Sequence, residues 1–358
     1  MKYDIGISNA VIVSSHNGYE PFIGSVGVKE TRITCVMHGE IDKEECEIWI
    51  DGTGKILMPG LVNGHCHGDM TLARGLGDDM TLLEQNHAFA DTGWFYTLID
   101  DEDRFYSRQL TYCEALLCGT TFIMENMYWG LGKESVRAMK EVGIRGALAE
   151  DIRVDFMRPD EFVSGEFLDE YKKQCEEAGL IPVIGGISEE DYETNRLKRI
   201  QGIAGQKGMK ITCHLAENTW RREIVRQRYQ TSAIDYLYQN DLLDENVIGS
   251  HVVYATEEEI AQLAQANVKV VNTPLCEMKI RDGIAPIPEM VRQGIRVCLG
   301  TDGAMWNNSN DIFREMKGIS LIHTMNSGIR SLDTKTILDM ATVNGAMCFD
   351  LEKDYGTI

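Results

Sequence analysis

Two histidines stand one residue apart at the end of an apolar run, in Met58-Pro59-Gly60-Leu61-Val62-Asn63-Gly64-His65-Cys66-His67. Side chains alternate between the faces of a β-strand, so on a strand both imidazoles point the same way and can reach one metal ion. An isolated His-x-His carries little weight. Its weight here comes from what lies downstream, where His214 with Glu217, His251, and Asp302 each stand at the end of another apolar, β-branched run. Imidazoles with one carboxylate suit Zn²⁺ or another divalent first-row metal, and three His plus an Asp leave a coordination position open for water. Glu217, placed just past His214, can move protons at that water. His16, His38, His87 and His323, the other four of the eight histidines, fall in turns or helices and read as surface or packing residues.

These residues need elements that bring them together. From Met58 onward the chain alternates strand with helix. The strand candidates are Leu61–His67, Thr120–Glu125, Gly143–Glu150, Ile181–Ile187, Met209–Leu215, Val247–Val253, Val268–Thr273 and Gly294–Asp302, and helical periodicity falls on stretches such as Asp103–Cys118, Asn218–Gln239 and Asp311–His323. Eight such strands predict a closed (β/α)₈ TIM barrel, an α/β fold whose active site lies at the C-terminal strand ends. The histidine-bearing positions fall on that rim. A doubly wound open sheet would carry a Gly-rich phosphate loop after an early strand, and neither GxGxxG nor GxxxxGK[ST] occurs. Residues 1–57 read instead as short β-strands without a helix, a small β-sandwich-like module to which residues 351–358 can be added, with residues 58–350 as the catalytic barrel.

Composition narrows the partners. A net charge of −21 argues against nucleic acid, whose phosphates require basic patches, and against an anionic membrane surface. The N-terminus lacks a signal-peptide pattern, and the ten cysteines are scattered without a CxxC pair, which points to reduced thiols and a cytoplasmic location. A small-molecule substrate is the expected partner.

The ordered motifs Pro59-Gly60-Leu61-Val62-Asn63-Gly64-His65-Cys66-His67, His214-Leu215-Ala216-Glu217, Ser250-His251-Val252 and Leu299-Gly300-Thr301-Asp302-Gly303 resemble those of the amidohydrolase superfamily at barrel strands 1, 5, 6 and 8. Gly283-Ile284-Ala285-Pro286-Ile287-Pro288-Glu289-Met290 and Asn307-Asn308 make the chain most similar to the branch holding the S-adenosylhomocysteine and 5′-methylthioadenosine deaminases, guanine deaminase and the triazine chlorohydrolases and aminohydrolases. The resemblance implies that His65, His67, His214 and Asp302 bind one divalent metal, Zn²⁺ first with Fe²⁺, Mn²⁺ or Ni²⁺ as alternatives. It implies further that His251 polarises the substrate or the water, that Glu217 moves protons, and that Asp302 shares in proton transfer. The expected reaction is hydrolytic deamination of a small nitrogen-rich heterocycle, with displacement of chloride or an alkylamine from a triazine-like ring as one alternative and a non-catalytic metal-binding barrel as another.

The chain departs from that branch in four places. Strand 4 reads Val183-Ile184-Gly185-Gly186-Ile187-Ser188, without the purine-contacting His of a Gly-Pro-His motif; Asn272-Thr273-Pro274-Leu275-Cys276-Glu277 replaces His-x-Pro-x-Ser-Asn; and Met305-Trp306 replace small residues. These changes speak against an adenosine-type substrate. Glu125 and Glu277, with Asn272, Trp129, Trp306 and Trp94 nearby, are then expected to line the mouth and to suit a flat, cationic or guanidine-like ring. Fourth, the chain stops at Ile358, where family members continue, so the β module is either shortened or built from its first residues with edges that a homo-oligomer would cover.

Overall fold

The computed structural model describes residues 1–90, 99–126, 132–154, 158, 160–328 and 331–358. The chain divides into two compact units, residues 1–60 with 350–358, and residues 61–349.

The first unit is a sheet of five strands: β1 (Tyr3–Ile12), β2 (Phe22–Lys29), β3 (Arg32–His38), β4 (Cys46–Asp51) and β5 (Ile56–Leu57). β2 pairs antiparallel with both β1 and β3, while β4 and β5 run parallel to β1. Gly6, Ser8, Ala10 and Ile12 of β1 are buried and alternate with half-buried residues, the period of two that a one-sided sheet requires. Tyr3, Ile41 and Cys46 form its small core. The terminal Ile358 donates its N–H to Ser14 Oγ at 3.0 Å, which places the last residues in this unit. Two three-residue 3₁₀ turns, Ser15–Asn17 and Lys43–Glu45, interrupt the expected all-β pattern.

The second unit bears out the barrel. Its strands β6 (Leu61–Cys66), β7 (Thr120–Asn126), β8 (Arg145–Asp151), β9 (Ile181–Ile187), β10 (Lys210–Leu215), β11 (Val247–His251), β12 (Lys269–Asn272) and β13 (Val297–Leu299) stand in chain order in one sheet, every paired neighbour parallel. β6 and β11 are buried along their whole length, as strands covered on both faces must be. The first and last strands meet at their C-terminal ends, where Thr301 and Asp302 both donate N–H to His65 O at 3.0 Å. Gly300 makes that approach possible, because a Cβ there would lie 2.9 Å from the Cβ, N and O of His65.

The helical stretch expected over Asn218–Gln239 is two helices, Thr219–Tyr229 and Ala233–Gln239. Gln230 breaks it at φ 57°, and the Ser232 side chain restarts it by accepting the N–H of Asp235 at 3.1 Å. The last strand also ends three residues early, because Asp302 turns out of the sheet at φ 60°.

Candidate active site

Three strand ends that carry site residues leave the extended region. Ala216 lies at φ 48°, His251 at 74° and Asp302 at 60°. A side chain bearing a Cβ rarely adopts such a backbone, at a cost of about 1–3 kcal/mol each, and such strain gathers where side chains must be aimed. Here it turns His251 and Asp302 inward, and it turns the chain from His214 into Glu217.

Four imidazoles converge as a result. The ring of His65 lies 4.9 Å from that of His67, 5.2 Å from His214 and 5.3 Å from His251, centroid to centroid. Asp302 Oδ1 lies 3.3 Å from His65 Nε2 and 3.2 Å from His67 Nε2. The other ring nitrogens are held from behind. His67 Nδ1 sits 2.8 Å from Asn126 O, His65 Nδ1 2.9 Å from Ser250 Oγ, and His251 Nδ1 3.0 Å from Thr273 Oγ1. A carbonyl on Nδ1 makes that nitrogen the donor and puts the lone pair of His67 on Nε2, which faces Asp302.

All of these side chains are buried. Burial pulls His65 down to about 4 and His214 well below the imidazole range, so both are neutral. Burial also works against the charge of Asp302, but the adjacent rings of His65 and His67 hold its carboxyl well below the usual carboxylate range. His251 differs. Burial lowers it too, yet Glu217, Glu277 and Asp302 outweigh that and lift it to about 9.

A divalent ion fits this arrangement. Ligand atoms of His65, His67 and Asp302 lie within 4.8 Å of one another, as do those of His65, His214 and His251. His65 Nε2 and Asp302 Oδ1 are buried without a hydrogen bond among the described residues. Neutral imidazoles beside an ionised carboxylate are the deprotonated donors such an ion needs. The upward shift of His251 separates it chemically from His65 and His214, which burial pulls down.

Around this centre, the Glu217 carboxylate is buried with Oε1 3.9 Å from His251 Nε2 and Oε2 bound by Arg221. Glu277 accepts both oxygens' hydrogen bonds from Asn272 Nδ2, at 2.9 and 2.8 Å, and one from Thr273 N at 3.0 Å, and stands 3.5 Å from His251 Nδ1. The Glu277 carboxyl and the Asn272 amide nitrogen are therefore engaged with each other inside the protein, behind His251. Glu125 is fully buried, with Arg108 Nε 2.5 Å from its Oε1. Trp306 packs with Met70, Ala73, Leu82 and Met305 and sets its ring 5.2 Å from that of His67. Trp94 and Trp129 lie outside the described residues.

Sequence reasoning did not single out Arg221, Arg108 or Asp282. Asp282 is buried and pushed up to about 9, first by burial and then by the Glu217 carboxylate beside it. The four-residue spacing of Glu217 and Arg221 was the available signal for the first. Nothing local pairs Arg108 with Glu125, and Asp282 stands in a loop with no periodicity.

The amidohydrolase family model matches residues 56–358. The chain belongs to the amidohydrolase family. This amidohydrolase is 33% identical over 320 residues to the 5′-deoxyadenosine deaminase of Methanopyrus kandleri, covering 87% of this chain and 73% of the relative. It is 30% identical over 361 residues to the 5-methylthioadenosine/S-adenosylhomocysteine deaminase of Aquifex aeolicus, covering 96% and 79%. Among solved structures, an adenosine deaminase from Xanthomonas campestris with bound zinc superposes with a TM-score of 0.88 at 22% identity, over 99% of this chain and 82% of that one. The family read from four motifs is thus borne out, and no helix among the described residues of this amidohydrolase is long and apolar enough to cross a membrane.

Proposed function

We propose that this amidohydrolase is a zinc-dependent deaminase that replaces the exocyclic amino group of a small nitrogen-rich heterocycle by oxygen. The observation that carries the reading is the convergence of four imidazoles and Asp302 on one buried point, with Glu217 Oε1 facing the fourth imidazole at 3.9 Å. The deaminase names of the relatives at 33% and 30% identity support it.

In this reading His65, His67, His214 and Asp302 hold the ion. The chemistry that a divalent ion would supply there is Lewis acidity. Glu217 accepts the proton that the attacking water loses as its oxygen bonds to the amidine carbon. Glu217 passes a proton from Oε1 to the adjacent ring nitrogen, so that the ring carries no negative charge as the carbon becomes tetrahedral. His251, protonated, donates a hydrogen bond to the developing oxygen charge. The hydroxyl so formed gives its proton to Asp302, which passes it to the amino group as the carbon–nitrogen bond breaks, the oxygen becomes a carbonyl and ammonia leaves. Burial of the whole set excludes bulk water from these transfers. Trp306, edge-on to His67, serves as an apolar wall for a flat ring. The free cysteines and the acidic composition support a cytoplasmic place for this chemistry.

The test is metal analysis together with ammonia release from 5′-deoxyadenosine, 5′-methylthioadenosine, guanine, an aminopterin, cytosine and melamine, with atrazine as a probe of chloride release. One equivalent of zinc and ammonia from at least one heterocycle are expected. Bound metal with no product from any, unchanged by Glu217→Gln, would leave a binding barrel in place of an enzyme.

A further inference from the structure

Glu217 is gripped from behind by residues that the reaction itself does not use. β10 ends at Leu215, and Ala216, at φ 48°, is tied on both sides, its N–H donated to Glu189 Oε1 at 2.6 Å and its carbonyl accepting from Tyr254 N at 2.9 Å. That fixes the peptide from which Glu217 departs. Asn218 then caps the helix Thr219–Tyr229, its side chain accepting the N–H of Arg221 at 3.0 Å. The first helical turn consequently brings Arg221, four residues on, back over Glu217.

The atoms engaged are specific. Arg221 Nη1 donates to Glu217 Oε2. The other side of the same guanidinium meets Glu190, with Nε 2.8 Å from Oε2 and Nη2 3.1 Å from Oε1. Glu190 in turn is anchored through its carbonyl by Arg228. Arg221 and Glu217 are both more than nine-tenths buried. A planar fork whose opposite edges meet two carboxylates cannot swing toward one without losing the other, which a lysine's single ammonium does not reproduce.

We propose that Arg221 is a positioning residue for proton transfer: by occupying Oε2 it leaves Oε1 as the one oxygen that faces His251 and the reacting centre, and Glu190 keeps Arg221 in that place. A glutamate has three side-chain torsions, and a displacement of about 1 Å at a reacting group can cost on the order of 10²-fold in rate. Fixing the far oxygen removes that freedom without touching substrate. The inference rests on the reading that Glu217 moves the proton.

The experiment is a double-mutant cycle in the zinc-loaded enzyme, following ammonia release from whichever heterocycle of the panel turns over fastest. Arg221→Met is expected to lower kcat roughly 10–100-fold, with KM within about threefold and zinc content unchanged. Arg221→Lys should recover part of the loss. In a Glu217→Gln background Arg221→Met should cost nothing further, because the group it acts through is gone. Glu190→Gln, which loosens Arg221 without leaving a buried cation unpaired, should give a smaller loss that also vanishes beside Glu217→Gln, and it keeps the test alive should Arg221→Met fail to fold. A kcat within twofold of the parent for both Arg221→Met and Glu190→Gln, or a full additional loss in the double variant, overturns the positioning role. Full activity of Glu217→Gln overturns instead the reading beneath it.

Discussion

Among the described residues the barrel holds two buried arginine–glutamate pairs, and they are built differently. Glu125 at the end of β7 and Arg108 on the helix Asp101–Leu117 are both wholly inaccessible, and Arg108 also approaches Asp69 Oδ2 at 3.6 Å. Burial raises the Glu125 carboxyl to about 6 against the pull of Arg108. Ser107 and Thr111 of the same helix hydrogen-bond Gly68 O, directly after His67. That pair is closed to solvent, with Glu125 Oε2 buried and without a hydrogen bond among the described residues, and its helix braces the loop that follows His67. In the other pair Arg221 likewise takes one oxygen of Glu217, but there the second faces His251. Residue type alone therefore does not tell a brace from a working group; the orientation of the second carboxylate oxygen does.

The strongest test of the contrast is removal of the metal. Dialysis against a chelator is expected to bring activity to background and leave the closed pair intact, with stoichiometric Zn²⁺ restoring turnover; a metal-free protein that remains fully active would refute the site. Next in size is Glu217→Gln, expected to lower kcat on the order of 10²–10⁴-fold while costing less stability in urea than Glu125→Gln. If Glu125→Gln lowered turnover as far with no loss of stability, the two pairs would not differ as described.

The closed pair should show its character in stability. Arg108→Met leaves the Glu125 charge buried and uncompensated, at an expected cost of about 3–5 kcal/mol, whereas Arg108→Met with Glu125→Leu should recover most of it, since an apolar replacement of both partners is often neutral. A double variant no more stable than the single one would show that the pair contributes more than mutual compensation. A smaller effect is expected at Ser250, whose hydroxyl supports His65 Nδ1. Ser250→Ala should weaken zinc binding roughly 10–100-fold in a chelator competition, with near-parental kcat once zinc is saturating.

Much of this was legible in the linear chain. All eight barrel strands lie where apolar, β-branched runs were bounded by turns, and the histidines lie at the ends of three of them, because strand burial and strand-end chemistry both leave marks in neighbouring residues. The part that was not legible depends on contacts across the fold. Glu125 and Glu277 look like two free acids in sequence, yet one meets Arg108, 17 residues away, and the other turns onto Asn272 and Thr273. The break at Gln230 was hidden because a non-glycine residue takes the left-handed turn there. Glu217 with Arg221 was readable only as a helical pair, which says nothing about which oxygen is left open.

A third buried acid sharpens the comparison by lacking an arginine. Glu315 accepts hydrogen bonds from Asn307 Nδ2 at 2.8 Å and Leu275 N at 3.1 Å, both neutral donors. Burial first, then the negative charges of Glu277 and Asp311, push it up to about 8 from an ordinary 4.5, because those two donors do not offset the loss of water. A carboxyl raised on folding adds stability that is fully present below about 4.5 and is lost as pH rises through about 8. Glu315→Gln should remove this dependence, flattening the stability profile by at most about 1.4 kcal/mol per pH unit in that window. Urea unfolding at pH 5, 6.5 and 8 reads it directly: the variant should gain on the parent as pH rises, and parallel profiles would mean that Glu315 is ionised in the folded protein at no cost. Glu125, which shares Arg108 with Asp69, rises only to about 6 when buried, because the guanidinium pulls against the loss of water.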